Sequence, residues 1–314
     1  MNTTEHNQTP EAKATSRGPH LGNPQGGTSD LPQQITERII EAMETARSTG
    51  KRLWDGQPSL PLNLSTGKPY SGINTLILWA AGLKHGYTSP YWITYPQACT
   101  MGGQVRRGEQ GELCVFHKPW EAEQVTDAGE TEVKKGAVLR SFRVFNLDQI
   151  DGITAPAVAE RSSFVAIEEA ERILAASPAP IRLGGTQAFY HPASDTIHLP
   201  ERGCFTSPEA FYNVALHEMT HSTGHPSRLN RTFGERFGDE SYAFEELIAE
   251  LGSAFLNADV GIINTTLKDH ADYLASWLKI LKQDKKAILT AAAQAAKAQA
   301  FIKTLLPSGS QDAA

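Results

Sequence analysis

Residues 207–224 constrain the fold more than any other part of the chain, because they join a strong helix start to a five-residue motif and a stop signal. An N-cap serine, Ser207, precedes a proline at the first helical position, and an acidic residue follows in the first turn. Gly224 is typical of a helix end. The sequence therefore predicts one helix from about Pro208 to Ser222, with the motif HEMTH in its last turns.

This HExxH motif is typical of a metal site. His217 and His221 are four residues apart and share one helix face, so both imidazoles can reach the same ion. Glu218 follows the first histidine and can take a proton from a water that the metal activates, which makes it the predicted catalytic residue. We expect one zinc ion per chain, with another divalent metal as the alternative.

Zinc needs a third protein ligand, and the sequence offers two possible sources. The metzincin pattern requires a histidine where this chain has Ser227, so that class is rejected. A second helix, predicted over residues 242–257, carries Glu246 and Glu250 on one face, as in gluzincins. We assign Glu246 as the ligand and Glu250 as the carboxylate that orients a ligand histidine, with Glu245 as the alternative ligand.

The segment before the motif helix, residues 189–200, is predicted as strand, turn and strand. Such a strand could pair with an extended peptide substrate. His191 and His198 within it are interpreted as structural residues rather than ligands. Tyr242 is a candidate for stabilising an oxyanion.

The composition indicates a globular protein of two domains. The chain has 314 residues, of which 40% are hydrophobic and 20% charged. Three widely spaced cysteines without a CxxC motif favour a reducing compartment, and we expect a cytoplasmic protein. The sequence contains neither an apolar run long enough to span a membrane nor a secretory signal. We expect disordered tails at residues 1–30 and 307–314.

Charge is distributed unevenly along the chain. Residues 47–118 carry eight Lys or Arg against three Asp or Glu, whereas residues 151–314 carry fourteen against twenty. A basic first half and an acidic second half favour two domains with different partners. We place the boundary near residue 150, with a linker over residues 148–156.

Hydrophobic periodicity predicts further helices on both sides of the motif, joined by short strands. We expect helices over residues 33–49, 73–84, 164–176 and 268–305, and strands over 112–117, 137–145, 181–183, 188–190 and 196–199. The polar residues 121–136 are predicted as a long hairpin loop or a mobile insert.

The whole pattern resembles the ArdC antirestriction family. The segment PLNLSTGKPYSGIN at residues 61–74 and the stretches 91–94, 97–98 and 102–111 resemble its N-terminal domain, which is also similar to part of TraC-type primases. Residues 217–221 and 242–250 match its metallopeptidase-like domain. The resemblance implies an α+β fold of two domains: an α/β domain that binds single-stranded DNA (residues 31–150) and a mostly helical zincin-like domain with a small sheet (residues 151–306).

The same resemblance implies an antirestriction protein that protects incoming plasmid DNA from host restriction during conjugation. Basic residues interleaved with aromatic residues in the first half fit the single-stranded DNA that this implies as a partner. A host restriction enzyme or another protein is a further candidate partner. The predicted DNA contacts are Arg106 and Arg107, which lie in a glycine-rich loop, together with Lys51, Arg52, Lys68, Tyr70 and Asn74.

Two other functions stay open at this point. The chain could be an intracellular zinc metallopeptidase whose N-terminal domain recruits protein substrate. It could also be a binding protein with a structural zinc, although such sites normally have four protein ligands. Whether the protein is an enzyme is therefore left undecided by the sequence.

Overall fold

The computed structural model describes residues 31–48, 53–54, 59–125, 131–156, 163–232, 240–263 and 273–307. Within these ranges the chain forms helices and three small sheets, which confirms the α+β expectation. The predicted tails lie outside the described residues apart from Pro307, and so do Lys51 and Arg52. No helix in the described part is long and apolar enough to cross a bilayer.

The described residues of the first half form three α-helices and six strands. The helices are α1 (Leu31–Ser48), α2 (Ile73–His85) and α3 (Tyr95–Thr100). Four strands form one sheet in the order β1-β2-β5-β4: β1 (Leu62–Asn63), β2 (Tyr91–Ile93), β4 (Glu112–Val125) and β5 (Thr131–Asn146). The other two pair antiparallel with each other: β3 (Gln104–Val105) and β6 (Ile150–Asp151).

Two sequence predictions in this half were wrong. Residues 121–125 and 131–136 are not loop but the outer parts of β4 and β5, which pair along their whole length. Their polar composition hid the strands, because a strand is recognised in a sequence mainly by apolar residues at alternate positions. The expected linker at 148–156 contains β6, which is bound to β3 and belongs to the fold of the first half.

The side chain of Asn74 attaches α2 to the free edge of the sheet. Its amide nitrogen donates to the carbonyl of Val115 at 2.8 Å, and its amide oxygen accepts from the Val115 N–H at 2.9 Å. These two bonds pair backbone groups that an edge strand such as β4 would otherwise expose. Asn74, predicted as a DNA contact, therefore has a structural use.

In the second half, the residues that the structure describes form five α-helices and a three-stranded sheet. The helices are α4 (Ser163–Ala175), α5 (Pro208–Ser222), α6 (Glu240–Val260), α7 (Tyr273–Gln283) and α8 (Ala287–Thr304). The sheet has the order β7-β9-β8, formed by β7 (Ile181–Leu183), β8 (Phe189–His191) and β9 (Thr196–Leu199). These bounds agree with most of the predicted elements to within three residues.

The single helix predicted over 268–305 was wrong, because the chain turns between α7 and α8. The Asp284 carboxylate accepts the backbone N–H of Lys286 at 2.8 Å, which fixes a local turn. The Thr36 hydroxyl of α1 donates to the carbonyl of Lys285 at 2.7 Å. The turn lets both helices pack against the rest of the protein, and helix propensity alone did not reveal it.

The largest hydrophobic core is shared by the two halves of the chain. It combines α1, α2 and residues 53–54 with α6, α7 and α8. The rings of Trp54 and Trp277 lie 6.0 Å apart, and those of Trp79 and Phe255 lie 5.9 Å apart. Each such side chain contributes about 1.5–3 kcal/mol when buried, so this contact stabilises both halves together.

Helices α5 and α6 approach closely at a glycine. A Cβ atom on Gly252 would lie 2.4 Å from Cγ2 of Thr220, closer than any side-chain contact allows. Glycine is therefore required here for packing rather than for a special backbone angle. The approach brings the motif face of α5 against the face of α6 that carries Glu246 and Glu250.

Candidate metal centre

Helix α5 is built as the sequence predicts. The Ser207 hydroxyl accepts the N–H of Ala210 at 3.2 Å, which caps the helix, and Pro208 occupies its first turn. The helix ends at Ser222, so His217 and His221 lie in its last two turns. Both histidines are buried against α6.

Among the described residues, His217, His221 and Glu246 offer one group of potential metal ligands within 4.8 Å of one another. The two Nε2 atoms of the histidines are 3.1 Å apart. Oε2 of Glu246 lies 3.4 Å from Nε2 of His217, and Oε1 of Glu246 lies 3.5 Å from Nε2 of His221. Ligands about 2.0–2.1 Å from a tetrahedral ion are separated by about 3.3 Å, so the two imidazole nitrogens and the Glu246 carboxylate fit one small divalent cation.

The electrostatics of the group suit a cation as well. Burial would raise the pKa of Glu246, but His217 and His221 outweigh it and hold the pKa far below its usual range. Burial would likewise lower the pKa of His221, whereas Glu245 and Glu246 raise it to about 10. These shifts favour an anionic Glu246 beside a protonated His221, and a bound metal would replace the proton on the ring.

Glu245, the alternative ligand, faces the other side of His221. Its Oε1 lies 3.2 Å from Nδ1 of His221. Arg231 donates to both of its oxygens, with Nε–Oε2 at 2.9 Å and Nη2–Oε1 at 2.7 Å. Glu245 therefore lies against Nδ1 of His221, whereas Glu246 is the glutamate that lies within the group of potential metal ligands.

Glu250 faces the Nδ1 atom of the other histidine. Its Oε2 lies 3.6 Å from Nδ1 of His217, and its Oε1 accepts the indole N–H of Trp54 at 3.0 Å. Glu250 thus lies on the side of His217 away from Glu246, and its role as the carboxylate that orients a ligand histidine stays a prediction. The involvement of Trp54 was missed, because residues 196 positions apart in sequence carry no local signal of contact.

Glu218 is buried next to His217 on α5, with 8% of its surface exposed. Tyr242 lies one turn before Glu246 on α6 and is half-buried. His191 and His198 have structural partners, as expected: Nδ1 of His191 accepts the N–H of Ser194, and His198 stacks on Phe189. Strand β8 is an edge of its sheet, where a substrate strand could add.

The predicted DNA-contacting residues are dispersed. Lys68 and Arg107 are exposed, and Tyr70 is half-buried with its hydroxyl bonded to Asn63 at 3.1 Å. Burial raises the pKa of Tyr70 to about 12, so it stays neutral. Arg106 is engaged by acidic groups: its guanidinium lies 3.1 Å from Glu109 and 3.5 Å from Asp151.

A second candidate surface for nucleic acid lies on the β4–β5 hairpin. Phe116 is 47% exposed, and its ring packs edge-on against Phe142 with centroids 5.9 Å apart. Directly paired residues lie on the same face, which places exposed Arg140 beside Phe116 and exposed Lys118 beside Val138. We call this group of five residues the hairpin face.

The sequence did not single out the hairpin face as a binding surface. The sequence does contain a signal for it, because residues two apart in a strand lie on the same face. This spacing relates Phe116 to Lys118 in one strand, and Val138, Arg140 and Phe142 in the other. Exposed apolar residues at alternate positions beside cations are unusual for a strand that simply faces water.

The fold and the site define a class of protein. Residues 168–294 match the zincin-like metallopeptidase family MPTase-PolyVal, and residues 29–145 match the N-terminal domain of anti-restriction factor ArdC. The chain is therefore a two-domain protein in which an ArdC-type N-terminal domain precedes a zincin-like domain.

Solved structures identify the family itself. The metal-free crystal structure of the antirestriction ArdC protein from the R388 plasmid is 40% identical with a TM-score of 0.73, covering 88% of this chain and 98% of that one. Its Mn(II)-bound structure is 37% identical with a TM-score of 0.72, covering 89% and 99%. The chain belongs to the ArdC antirestriction family, and the Mn(II) structure together with the present ligand group indicates a divalent metal site.

Two curated relatives extend the comparison. The uncharacterized protein y4eC of Sinorhizobium fredii (strain NBRC 101917 / NGR234) is 40% identical over 274 residues, which cover 85% of this chain and 89% of the relative. The DNA primase TraC of Escherichia coli is 42% identical over 288 residues, covering 86% of this chain but 27% of the primase. The shared unit is therefore a small part of that longer protein.

Proposed function

We propose that this protein is an antirestriction factor that binds single-stranded DNA through its first half and carries a zinc-dependent peptidase site in its second half. The observation that carries the proposal is the close approach of the two imidazole Nε2 atoms, 3.1 Å apart, to the Glu246 carboxylate, whose oxygens lie 3.4 Å and 3.5 Å from them, beside the buried Glu218. Two imidazoles and one carboxylate suit zinc, with three protein ligands and room for a substrate.

The proposed chemistry is peptide hydrolysis. When bound, the metal would act as a Lewis acid on a substrate carbonyl and lower the pKa of a water. Glu218 accepts a proton from the attacking water and returns it to the departing amine. Glu245, 3.2 Å from Nδ1 of His221, and Glu250, 3.6 Å from Nδ1 of His217, would orient the two imidazole rings and keep the ligand atoms preorganised.

Binding of single-stranded DNA is proposed for the hairpin face together with exposed cations of the first half. Phe116 and Phe142 offer rings on which bases can stack, and Arg140 and Lys118 offer charges for phosphates. Lys68 and Arg107 are exposed and add positive charge. Such binding tolerates many sequences and weakens as salt rises.

Together these activities would protect single-stranded plasmid DNA on entry into a new host. A host restriction enzyme or another protein in the cytoplasm would be the peptide substrate. The alternative, an intracellular metallopeptidase whose first half recruits protein substrate, predicts proteolysis in the absence of DNA that is lost in Glu218→Gln.

One experiment tests the proposal: metal content by mass spectrometry and a single-stranded DNA titration, on the wild type, His217→Ala and Glu218→Gln. We expect about one zinc per wild-type chain, none in His217→Ala, retained zinc in Glu218→Gln, and DNA binding in all three. A wild type without metal under metal-replete conditions would refute the peptidase site. A wild type that ignores single-stranded DNA at low salt would refute the DNA-binding half and favour the alternative.

A further inference from the structure

We infer that Trp54 is a positioning residue of the metal centre, through which the N-terminal domain sets the metal affinity of the zincin-like domain. Trp54 lies within the residues matched to the ArdC N-terminal domain, whereas His217 and Glu250 lie within the zincin-like match. The inference rests on the metal site proposed above and adds a dependence of that site on the other domain.

The contact itself is short and fully buried. Trp54 is 0% exposed, and its Nε1 donates to Oε1 of Glu250 at 3.0 Å. The other oxygen, Oε2, lies 3.6 Å from Nδ1 of His217. Indole is only a donor, so Trp54 stabilises the carboxylate form of Glu250 and fixes which oxygen faces the histidine.

The position of Trp54 is in turn fixed by packing. Its ring lies 6.0 Å from that of Trp277, within the core shared by the two halves. Because a buried aromatic ring in a dense core has little freedom, a displacement of residues 53–54 would move the donor away from Glu250. The carboxylate could then rotate, and the Nε2 atom of His217 would lose its preferred direction.

Two other tryptophans provide an internal comparison. Trp79 donates its indole N–H to the carbonyl of Ser59 at 3.1 Å, and Trp277 donates to the carbonyl of Ala243 at 3.0 Å. Both are buried in the same core as Trp54. Of these three residues, Trp54 alone donates to a side chain that faces a metal ligand.

The test compares Trp54→Phe with Trp79→Phe in the full chain. Each variant keeps a ring and loses one buried indole donor, so both should lower the midpoint of thermal unfolding of the metal-free protein. Zinc affinity is measured by competition with a chelator. We expect Trp54→Phe to weaken zinc binding by about 10-fold, at the lower end of the range for residues that support a ligand. Trp79→Phe should leave the affinity unchanged.

A double-mutant cycle separates positioning from general packing. If Trp54 acts through Glu250, Trp54→Phe should have little further effect on zinc affinity when Glu250 is already Gln. Full additivity of the two changes, or equal affinity losses in Trp54→Phe and Trp79→Phe, would overturn the inference. A wild type that binds no zinc would instead overturn the metal site, and this inference with it.

A measurement on the unmodified chain covers the case in which Trp54→Phe does not fold. The five tryptophans give indole N–H signals in a ¹⁵N spectrum, which can be assigned from variants at the other positions. On addition of zinc, the Trp54 signal should shift because Glu250 is reorganised, while the Trp79 signal should stay in place. A Trp54 signal that does not respond to a saturating ion would contradict the inference.

Discussion

Arg231 donates two parallel hydrogen bonds to the carboxylate of Glu245, and both side chains are about 95% buried. The same arginine donates to the Thr223 hydroxyl and to the carbonyl of Thr220 at the end of α5. A buried bidentate pair of this kind is costly to break, because removing one partner leaves an uncompensated charge. Arg231 therefore fixes the carboxylate that orients His221 and ties the loop after α5 to α6.

The first prediction separates the two adjacent glutamates. Glu246→Gln should abolish stoichiometric zinc binding, because it removes the charged ligand. Glu245→Gln should still bind one zinc when saturated, with an affinity about 10- to 100-fold weaker. Zinc titration monitored by chelator competition checks both. The opposite pattern would make Glu245 the ligand, the alternative that the sequence left open.

The second prediction concerns the hairpin face. Phe116→Ala should weaken binding of single-stranded DNA by roughly 5- to 150-fold, since each stacked base contributes about 1–3 kcal/mol. Phe189→Ala is the matched control, because Phe189 is similarly exposed (41%) but lies on the sheet of the zincin-like domain. Fluorescence anisotropy with a labelled oligonucleotide measures both. Equal affinities for Phe116→Ala and the wild type would remove the hairpin face from the DNA site.

The third prediction tests the close approach of α5 and α6. Gly252→Ala should destabilise the protein by about 1–3 kcal/mol, because the added methyl group overlaps Thr220. Thr220→Ala removes the overlapping Cγ2 atom, so the double variant should lose less than the sum of the single changes. Urea unfolding of the metal-free proteins gives these free energies. A Gly252→Ala protein as stable as the wild type would show that the helices separate at little cost.

The fourth prediction concerns pH. Asp195 accepts from Arg228 at 3.0 Å and from the Tyr190 hydroxyl at 2.8 Å, and chiefly the bond from Arg228 holds its pKa below the usual range. A lowered pKa in the folded state adds stability above about pH 4, and that stability is lost as the pH falls through the folded-state pKa. Asp195→Asn should therefore cost roughly 1–3 kcal/mol at pH 7, as expected for bonds to charged groups.

The pH dependence of Asp195→Asn separates the effect of charge from the effect of backbone strain. Asn tolerates the left-handed backbone of this position, where φ is 48°, so the change tests charge rather than strain. The difference in free energy of unfolding between wild type and variant should shrink as the pH falls below about 4. A difference that is constant from pH 7 to pH 3 would show that the charge of Asp195 contributes nothing.

The sequence predicted the elements whose signals are local. Helix α5 contains its own N-cap, its own proline and the HExxH motif. Glu246 and Glu250 are four residues apart, which predicts that they share one face of α6. These parts of the candidate site could therefore be predicted without coordinates. The break between α7 and α8 could not, because it depends on a bond from Thr36, about 250 residues away. Trp54 and Arg231 were missed for the same reason: their roles follow from tertiary contacts.

The choice between Glu245 and Glu246 as the metal ligand shows what sequence spacing alone cannot decide. Both are glutamates on the same turn of α6, and spacing alone leaves either able to reach the metal. The structure favours Glu246 because Arg231 already holds Glu245 against the far side of His221. Of the DNA candidates, Asn74 and Arg106 are occupied by the protein itself, which composition cannot reveal.

The hydrophobic core shared by the two halves has a consequence for how the gene can be divided by recombination. Helices α1 and α2 cover apolar faces of α6, α7 and α8, so a gene fragment encoding either half alone would leave a large apolar surface uncovered. We therefore expect recombination to move the coding regions of the two halves together, as one unit. The match to 27% of the TraC primase, which includes 86% of this chain, is what such joint transfer would leave behind.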